Sequence, residues 1–236
     1  ILLRDCDANV LARLDHYESG FGYRLHRVQV QGPTGPVQAE VYLPPEGILA
    51  GDTWSLNDWM RDNGTLVYEA AVEVMAVFGH IKADEMALAY PMMLARADAR
   101  LKAREHPAPA SVSGLTHSDV TVHQCKQPYT KFFAVQEADI SVPRFDDGQI
   151  HQVTRAAFLG TDAAMVLPYD PKTDRVLLVE QFRFGPFLRD DPNPWLIEPI
   201  AGRIDVGENP EMTAIREASE EAGLLIGKLH KVHSGY

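Results

Sequence analysis

Three glutamates near the end of the chain have a spacing that suits metal chemistry. Glu217, Glu220 and Glu221 stand at positions i, i+3 and i+4, and residues so spaced share one face of an α-helix. Like charges on one face repel each other, so the cluster destabilises a helix unless a cation lies beside it. Arg216 neutralises only part of this charge. Because hard divalent cations take oxygen ligands and bridge carboxylates to phosphates, the spacing predicts a site for such a cation.

The residues around these glutamates predict a helix with defined ends. Asn209 is a suitable N-cap, Pro210 fits the first helical position, and Glu211 adds an acid to the first turn. Gly223 stands where a left-handed C-cap residue belongs. We expect the opposite face to pack on a sheet through Met212, Ile215, Ser219 and Ala222. A solvated acidic face is the alternative interpretation of the three glutamates.

Apolar runs upstream of this helix predict the strands that must position it. Residues 164–169 and 175–183 read as two strands joined by a turn at 170–174, and we expect them to pair as a hairpin. Residues 194–202 read as a further strand, which enters the helix segment at Gly202.

The segment from Gly202 to Leu224 resembles the Nudix box, whose pattern is G-x5-E-x7-R-E-U-x-E-E-x-G-U with U an apolar residue. The chain fits it at every constrained position: Gly202, Glu208, Arg216, Glu217, Ala218, Glu220, Glu221, Gly223 and Leu224. Average residue usage gives a chance match at roughly one in a billion start positions. Nudix hydrolases split a diphosphate joined to a nucleoside and use a divalent metal ion, so the resemblance implies this activity.

The resemblance assigns a role to each residue of the box. The family's metal ligands match four groups here, which are the backbone carbonyl of Ala201 and the carboxylates of Glu217, Glu220 and Glu221. The implied cofactor is Mg²⁺ or Mn²⁺. Arg216 matches an arginine that orients a box glutamate, and Glu208 matches a glutamate that supports the helix and loop rather than the metal.

The sequence before the box looks like the ADP-ribose pyrophosphatase branch of this family. The matching phrases lie at residues 144–148, 153–155, 175–183 and 194–202. Two departures are Ile200, where Pro or Val is usual, and an inserted Asp147. Neither departure removes a ligand.

Two arginines match substrate-binding residues of that branch. Arg183 matches an arginine that reaches the phosphates or the terminal ribose, and an end-of-strand charge is the alternative. Arg155 matches an arginine that crosses from the partner subunit in dimeric members, and a structural charge is the alternative. Residues 120–123, 132–136 and 152–159 look like strands of an arm that often swaps between subunits in this branch. We therefore expect a homodimer.

The first hundred residues predict a different unit. Residues 11–18 read as a short helix, and strands at 23–31 and 37–42 pair as a hairpin across a turn. Residues 56–105 have a helical pattern with Ser55 and Asp84 as candidate caps.

This first part resembles the γ-glutamylcyclotransferase-like fold, a small mixed barrel with helices. Glu18 matches the glutamate that does acid–base work in active members of that family. A glycine-rich phrase on the first strand, which active members also need, is absent from the chain. A module without enzymatic activity is therefore the favoured interpretation of this part.

The predicted fold is mixed α+β, with two domains and a linker. Residues 1–105 form the cyclotransferase-like domain, residues 106–114 the linker, and residues 115–236 a Nudix α/β/α sandwich. Because the chain starts at Ile1 without Met and stops at Tyr236 soon after the box, we expect both domains to be incomplete. A further glutamate that acts as base or metal ligand is expected beyond that end.

Composition narrows the classes of partner. The 236 residues carry a formal net charge of −11, which argues against nucleic acid as a partner. The resemblance implies a small nucleotide sugar as the partner. No apolar run reaches the roughly eighteen residues of a membrane span, and we expect no membrane partner. The two cysteines, Cys6 and Cys125, suggest neither a disulfide scaffold nor a zinc site. A cytoplasmic setting is the default expectation.

The expected function is metal-dependent hydrolysis of ADP-ribose, or a related ADP-sugar, to AMP and a sugar phosphate. Water activated by metal and a glutamate attacks one phosphorus in the mechanism that the resemblance implies. Two alternatives stay open. One is a sensor that binds ADP-ribose without cleaving it, which an intact box disfavours. The other is a bifunctional protein whose first half also cyclises γ-glutamyl substrates.

Overall fold

The computed structural model describes residues 3, 6–32, 34–48, 51, 53–107, 112–145, 148 and 150–234. Part of the predicted linker and the inserted Asp147 lie outside the described residues. The chain divides by its contacts into two compact units, residues 1–160 and 161–236. The domain boundary at the linker stays a prediction. None of the helices that the structure describes is long and apolar enough to cross a membrane.

The first unit begins with a helix and a hairpin. Helix α1 spans Ala8–Gly20. Strands β1 (Arg24–Gly32) and β2 (Gly35–Leu43) pair antiparallel over their whole length, with their facing glycines at the turn. The predicted helix and hairpin are confirmed. Within the described residues these strands form a two-stranded sheet, and the cyclotransferase-like barrel stays a prediction.

Two long helices follow the hairpin and form the core of this unit. Helix α2 spans Leu56–Ala76 and helix α3 spans Ala83–Glu105. The predicted cap at Ser55 is confirmed, because its side chain accepts a hydrogen bond from the Asp58 N–H at 3.4 Å. The buried hydrophobic cluster of this core consists of Val74, Val77, Met86, Ala89 and Met93.

The start of α3 differs from the prediction. Asp84 is not its N-cap, because the helix begins at Ala83 and Lys82 occupies the cap position. The Glu85 carboxylate accepts from the Lys82 N–H at 3.4 Å, and the Asp84 carboxylate accepts from the Glu85 N–H at 3.0 Å. The predicted cap at Asp84 is therefore wrong. A glutamate three residues after the cap satisfies the exposed backbone instead.

A three-stranded antiparallel sheet completes the first unit. Its strands lie in chain order and are β3 (Thr121–Thr130), β4 (Ala134–Pro143) and β5 (Ile150–Leu159). The three predicted strands are confirmed, although β3 and β4 extend further than the sequence indicated. Arg155 lies in β5, opposite Ala138 of β4.

The second unit consists of short strands and two helices. Its strands are β6 (Ala163–Val166), β7 (Tyr169–Asp170), β8 (Arg175–Val176), β9 (Val179–Phe182), β10 (Trp195–Glu198) and β11 (Ile200–Arg203). Its helices are α4 (Phe184–Leu188) and α5 (Pro210–Ala222).

Strand pairing in the second unit differs from the predicted hairpin. Only the two-residue strands β7 and β8 pair across the turn, while β6 pairs with β11 and β9 pairs with β10. The predicted pairing is therefore correct only next to the turn. The reason is the core, because Val166 of β6 and Ile200 of β11 are opposite each other and are buried against Ala214 and Ala218 of α5. Burial of these side chains selects a partner that lies far away in sequence.

Candidate active site

Helix α5 carries the three predicted glutamates and has the ends that the sequence indicates. The Asn209 side chain accepts from the Met212 N–H at 2.9 Å, and Pro210 is the first helical residue. Gly223 has a φ of 64°, in the left-handed region, and its N–H donates to the Ser219 carbonyl at 3.0 Å. Both predicted caps are confirmed.

The face of α5 that packs on the sheet is not the predicted one. Met212 and Ile215 are 51% and 47% exposed, Ser219 is exposed, and of the predicted set Ala222 packs on the core. The buried residues of the helix are instead Thr213, Ala214 and Ala218. Two of them are alanines, and small side chains let the helix approach β6 and β11 closely. With Ala214 and Ala218 facing the sheet, Glu217 lies next to β11.

Gly202 of β11 lies directly beneath the Glu217 carboxylate. A Cβ atom at position 202 would lie 1.8 Å from Glu217 Oε1 and 1.9 Å from its Cδ, far closer than atoms can approach. Only 13% of the Glu217 side chain is exposed. The first residue of the box is thus a glycine because the carboxylate occupies the space of a side chain.

Arg216 joins the acidic residues around it into one cluster. Its guanidinium donates to Glu217 Oε1 at 2.6 Å and to Glu220 Oε2 at 3.1 Å. It also donates twice to Glu208, at 2.9 Å each, and to the Arg203 carbonyl at 2.9 Å. The pKa of Arg216 is raised, chiefly by its hydrogen bonds to Glu208. We call Arg216 and the three glutamates that it binds, Glu208, Glu217 and Glu220, the Arg216 cluster.

Glu208 fixes the position of Arg216 from the loop before α5. Its Oε2 atom also accepts from the Thr213 hydroxyl at 2.8 Å and from the Asp205 N–H at 3.3 Å. The hydrogen bonds from Arg216, and then that from Thr213, lower the pKa of the Glu208 carboxyl from 4.5 to about 2. Glu208 thus contacts both α5 and the loop before it, and the supporting role that the resemblance implies for it stays a prediction.

The lowered pKa of Glu208 predicts how stability depends on pH. Because its pKa is lower in the folded than in the unfolded chain, Glu208 stabilises the fold fully above about pH 4.5, and this contribution is lost as the pH falls toward about 2. We therefore expect Glu208→Gln to unfold at lower denaturant than the wild type at pH 7, and the difference to shrink between those pH values. Denaturant midpoints across that range would test this. A difference that stays constant down to the lower pH would contradict it.

Strand β9 contributes a residue that the sequence interpretation missed. Gln181 donates from Nε2 to Glu221 Oε1 at 3.2 Å, so it binds the last of the box glutamates. Gln181 and Arg183 are two residues apart, a spacing that places residues on one face of an extended chain. This spacing is the feature of the sequence that could have indicated Gln181 as a site residue.

Arg183 forms an ion pair with Glu198, the last residue of β10. Its Nε atom donates to Glu198 Oε2 at 2.8 Å, and its Nη2 atom donates to the same oxygen. This pairing raises the pKa of Arg183 and lowers that of Glu198. The Arg183 side chain remains 41% exposed. The charge is therefore positioned by the protein but still accessible to solvent.

The predicted metal ligands are oxygen donors, which suit a divalent cation, although other side chains donate hydrogen bonds to the three carboxylates in this structure. Among the described residues, no group of three or more His, Cys, Asp or Glu side chains is arranged to hold a metal ion. Arg216 binds Glu217 and Glu220, while Gln181 binds Glu221. The set still fits a hard cation by its donors, because it offers carboxylate oxygens on one helix face next to the main chain of β11. The ligand assignment stays a prediction.

Two further predicted site residues lie in the first unit. Arg155 of β5 donates from its guanidinium to the Thr154 carbonyl at 3.0 Å. Glu18 lies near the end of α1, where burial raises the pKa of its carboxyl. A cleft of about 520 Å³ is lined by parts of α1, by residues 78–83 and by Glu85, and Glu18 is not among its lining residues. The roles of Arg155 and Glu18 stay predictions.

Comparison with known protein families gives a match to the part of the chain that contains β11 and α5. Residues 160–235 match the model of the NUDIX domain. This part of the chain is a Nudix domain. The resemblance inferred from the box is thereby confirmed, and the Arg216 cluster lies inside the Nudix domain.

The Nudix half is also similar to curated enzymes. It is 35% identical over 122 residues to an ADP-ribose pyrophosphatase of Haemophilus influenzae, covering 51% of this chain and 56% of that protein. It is 37% identical over 117 residues to the ADP-ribose pyrophosphatase of Escherichia coli K12, covering 50% and 56%. A GDP-mannose pyrophosphatase of Yersinia pestis is 28% identical over 113 residues, covering 48% and 56%. The chain thus spans about half the length of the curated relatives that it matches.

Proposed function

We propose that this chain is a metal-dependent hydrolase of ADP-ribose, or of a related ADP-sugar, which releases AMP and a sugar phosphate. The observation that carries the proposal is the Arg216 cluster, in which one guanidinium holds Glu217 over Gly202 within a Nudix domain. The activities for which these relatives are named support the proposed substrate. Identity is 35–37% to the ADP-ribose pyrophosphatases and 28% to the GDP-mannose pyrophosphatase.

Four groups of the Nudix domain would hold Mg²⁺ or Mn²⁺. They are the Ala201 carbonyl and the carboxylates of Glu217, Glu220 and Glu221. Such an ion, when bound, neutralises phosphate charge and makes a bound water more acidic. Arg216 acts as a positioning residue, because its hydrogen bond keeps the Glu217 carboxylate against β11. Glu208 in turn holds Arg216 through two hydrogen bonds.

Two arginines would bind the substrate. Arg183 would contact the phosphates or the terminal ribose, because Glu198 orients its planar fork while part of it stays exposed. Arg155 would reach the substrate from the partner subunit of a homodimer. We place the protein in the cytoplasm, where nucleotide sugars are available to it.

A panel of substrates tests this assignment. Assayed with Mg²⁺, the full-length protein should give its highest kcat/KM with ADP-ribose or a closely related ADP-sugar. GDP-mannose tests the neighbouring specificity, and ATP tests the wider family. A clear preference for the nucleoside triphosphate would contradict the proposed substrate class. A clear preference for GDP-mannose would contradict the base and sugar that we assign.

A further inference from the structure

A buried polar cluster joins the two long helices of the first unit to its three-stranded sheet. It consists of Glu73 on α2, Arg96 on α3, and Gln127 and Thr130 on β3, each between 2% and 9% exposed. We call it the Glu73 cluster. Glu73 Oε1 accepts from Arg96 Nε at 2.9 Å, from Gln127 Nε2 at 3.0 Å and from the Thr130 hydroxyl at 3.5 Å. One helix carboxylate thus binds the neighbouring helix and the sheet at once.

The turn between β3 and β4 is held by the same ion pair. Arg96 donates from Nη1 to the Phe132 carbonyl in that turn at 3.3 Å and from Nη2 to the Thr130 hydroxyl at 3.4 Å. The second oxygen of Glu73 accepts from Arg100 at 3.3 Å. Buried ion pairs contribute little net stability but fix geometry when their hydrogen bonds are satisfied. The Glu73 cluster is therefore a candidate for a positioning device.

An irregularity in β3 turns Gln127 toward the helices. The pairing of β3 with β4 shifts its register between Lys126 and Tyr129, so Gln127 has no partner residue in β4. Gln127 and Thr130 are the two buried residues of β3, whose other side chains are not buried. A β-bulge redirects a side chain in this way. The local break in the ladder thus serves the contact with Glu73.

The sheet connects this anchor to Arg155. Strand β4 pairs with β5 without a register shift, from Ala134 opposite Leu159 to Pro143 opposite Ile150. Ala134, the first residue of β4 after the anchored turn, is fully buried. Arg155 lies four residues along the ladder, opposite Ala138. A displacement of the turn is therefore expected to move the strand that carries Arg155.

We infer that Glu73 is a positioning residue for substrate binding. The helices α2 and α3 hold the sheet β3–β5 through the Glu73 cluster and so fix the placement of Arg155. This inference rests on the proposed function, because it takes Arg155 as a residue that binds the substrate. It gives the first unit a role in binding ADP-ribose that needs no chemistry of its own.

Gln127→Glu tests the inference by placing a second carboxylate against Glu73 Oε1. The two side chains have nearly the same shape, and Arg96 and Arg100 still pair with Glu73, so the helix pair keeps its ion pairs. Repulsion across 3.0 Å should loosen the sheet from the helices. We expect backbone amides of the β3–β4 turn to exchange hydrogen about tenfold faster. The Kd for ADP-ribose should rise about tenfold, with kcat little changed.

Two matched variants accompany this change. Glu73→Gln combined with Gln127→Glu exchanges the carboxylate and the amide between helix and sheet, so it should restore slow exchange and tight binding. Glu69→Gln is the control, because Glu69 also bridges α2 and α3. Its carboxylate accepts hydrogen bonds from Arg104 and lies 3.8 Å from Arg100 Nε. This control should leave both the exchange of the turn and the Kd unchanged. If Gln127→Glu fails to fold, Thr130→Val is used in its place, because it removes a weaker hydrogen bond of the same cluster.

Hydrogen exchange and binding separate the possible results. Faster exchange together with a raised Kd, both restored by the exchanged pair, supports the inference. Faster exchange with an unchanged Kd overturns it, because the cluster would then be only structural. Unchanged exchange also overturns it. Wild-type protein that binds no ADP-ribose refutes the proposed function itself, and the exchange data still report whether the Glu73 cluster anchors the sheet.

Discussion

Glu217→Gln will lower kcat for ADP-ribose by about a hundredfold or more while the fold is retained. The substitution keeps the shape of the side chain and removes its charge. Glu217 is the box glutamate that Arg216 binds at 2.6 Å and that lies against Gly202, so the loss falls on the most strictly positioned carboxylate of α5. Steady-state rates at saturating Mg²⁺, with circular dichroism as a check of folding, would measure this.

Glu211→Gln is the matched control for this change. Glu211 lies in the first turn of the same helix and is exposed, so its loss should alter stability slightly and turnover hardly at all. Turnover of Glu217→Gln within a factor of about two of the wild type would contradict the assignment of Glu217.

Gly202→Ala should reduce turnover to a similar extent, although it replaces no charged residue. The new Cβ atom would overlap the Glu217 carboxylate, 1.8 Å away. The carboxylate must then move and lose its bond to Arg216. Because the displaced atoms are the end of a flexible side chain, we expect a small change in Tm and a loss in kcat of about a hundredfold. Kinetics and thermal melts on the same preparation would separate the two effects.

Gly227→Ala is the control for adding a methyl group to a glycine of the same unit. No heavy atom lies within 4 Å of the Cβ that it would add, so activity and Tm should stay close to the wild type. If Gly202→Ala were as active as Gly227→Ala, the close approach of strand and helix would not matter for catalysis.

Local features of the site could be predicted from the sequence because they depend on near neighbours. Asn209 and Gly223 fix the ends of α5 through hydrogen bonds within one helical turn. The spacing of Glu217, Glu220 and Glu221 likewise follows from the helix itself. The β1–β2 hairpin has the same origin, since its two strands are joined by a short turn.

Features that depend on distant contacts were not predictable in this way. The pairing of β6 with β11 follows from a core shared with α5, which no local pattern encodes. The packed face of α5 is another example, because Ala214 and Ala218 are buried while the more apolar Ile215 is exposed. Close packing of α5 against β6 and β11 selects the smaller side chains. The pairing of Gln181 with Glu221 and that of Arg183 with Glu198 depend on how β9, β10 and α5 are placed together.

The fate of ADP-ribose in the presence of Mg²⁺ and the full-length protein tests the central claim most directly. Phosphorus NMR follows the diphosphate and its products in one sample. We predict that the diphosphate signals disappear while AMP and ribose 5-phosphate form in equal amounts, and that Glu221→Gln slows this conversion by about a hundredfold. ADP-ribose that binds to the wild-type protein yet stays intact would contradict hydrolysis and identify a sensor instead.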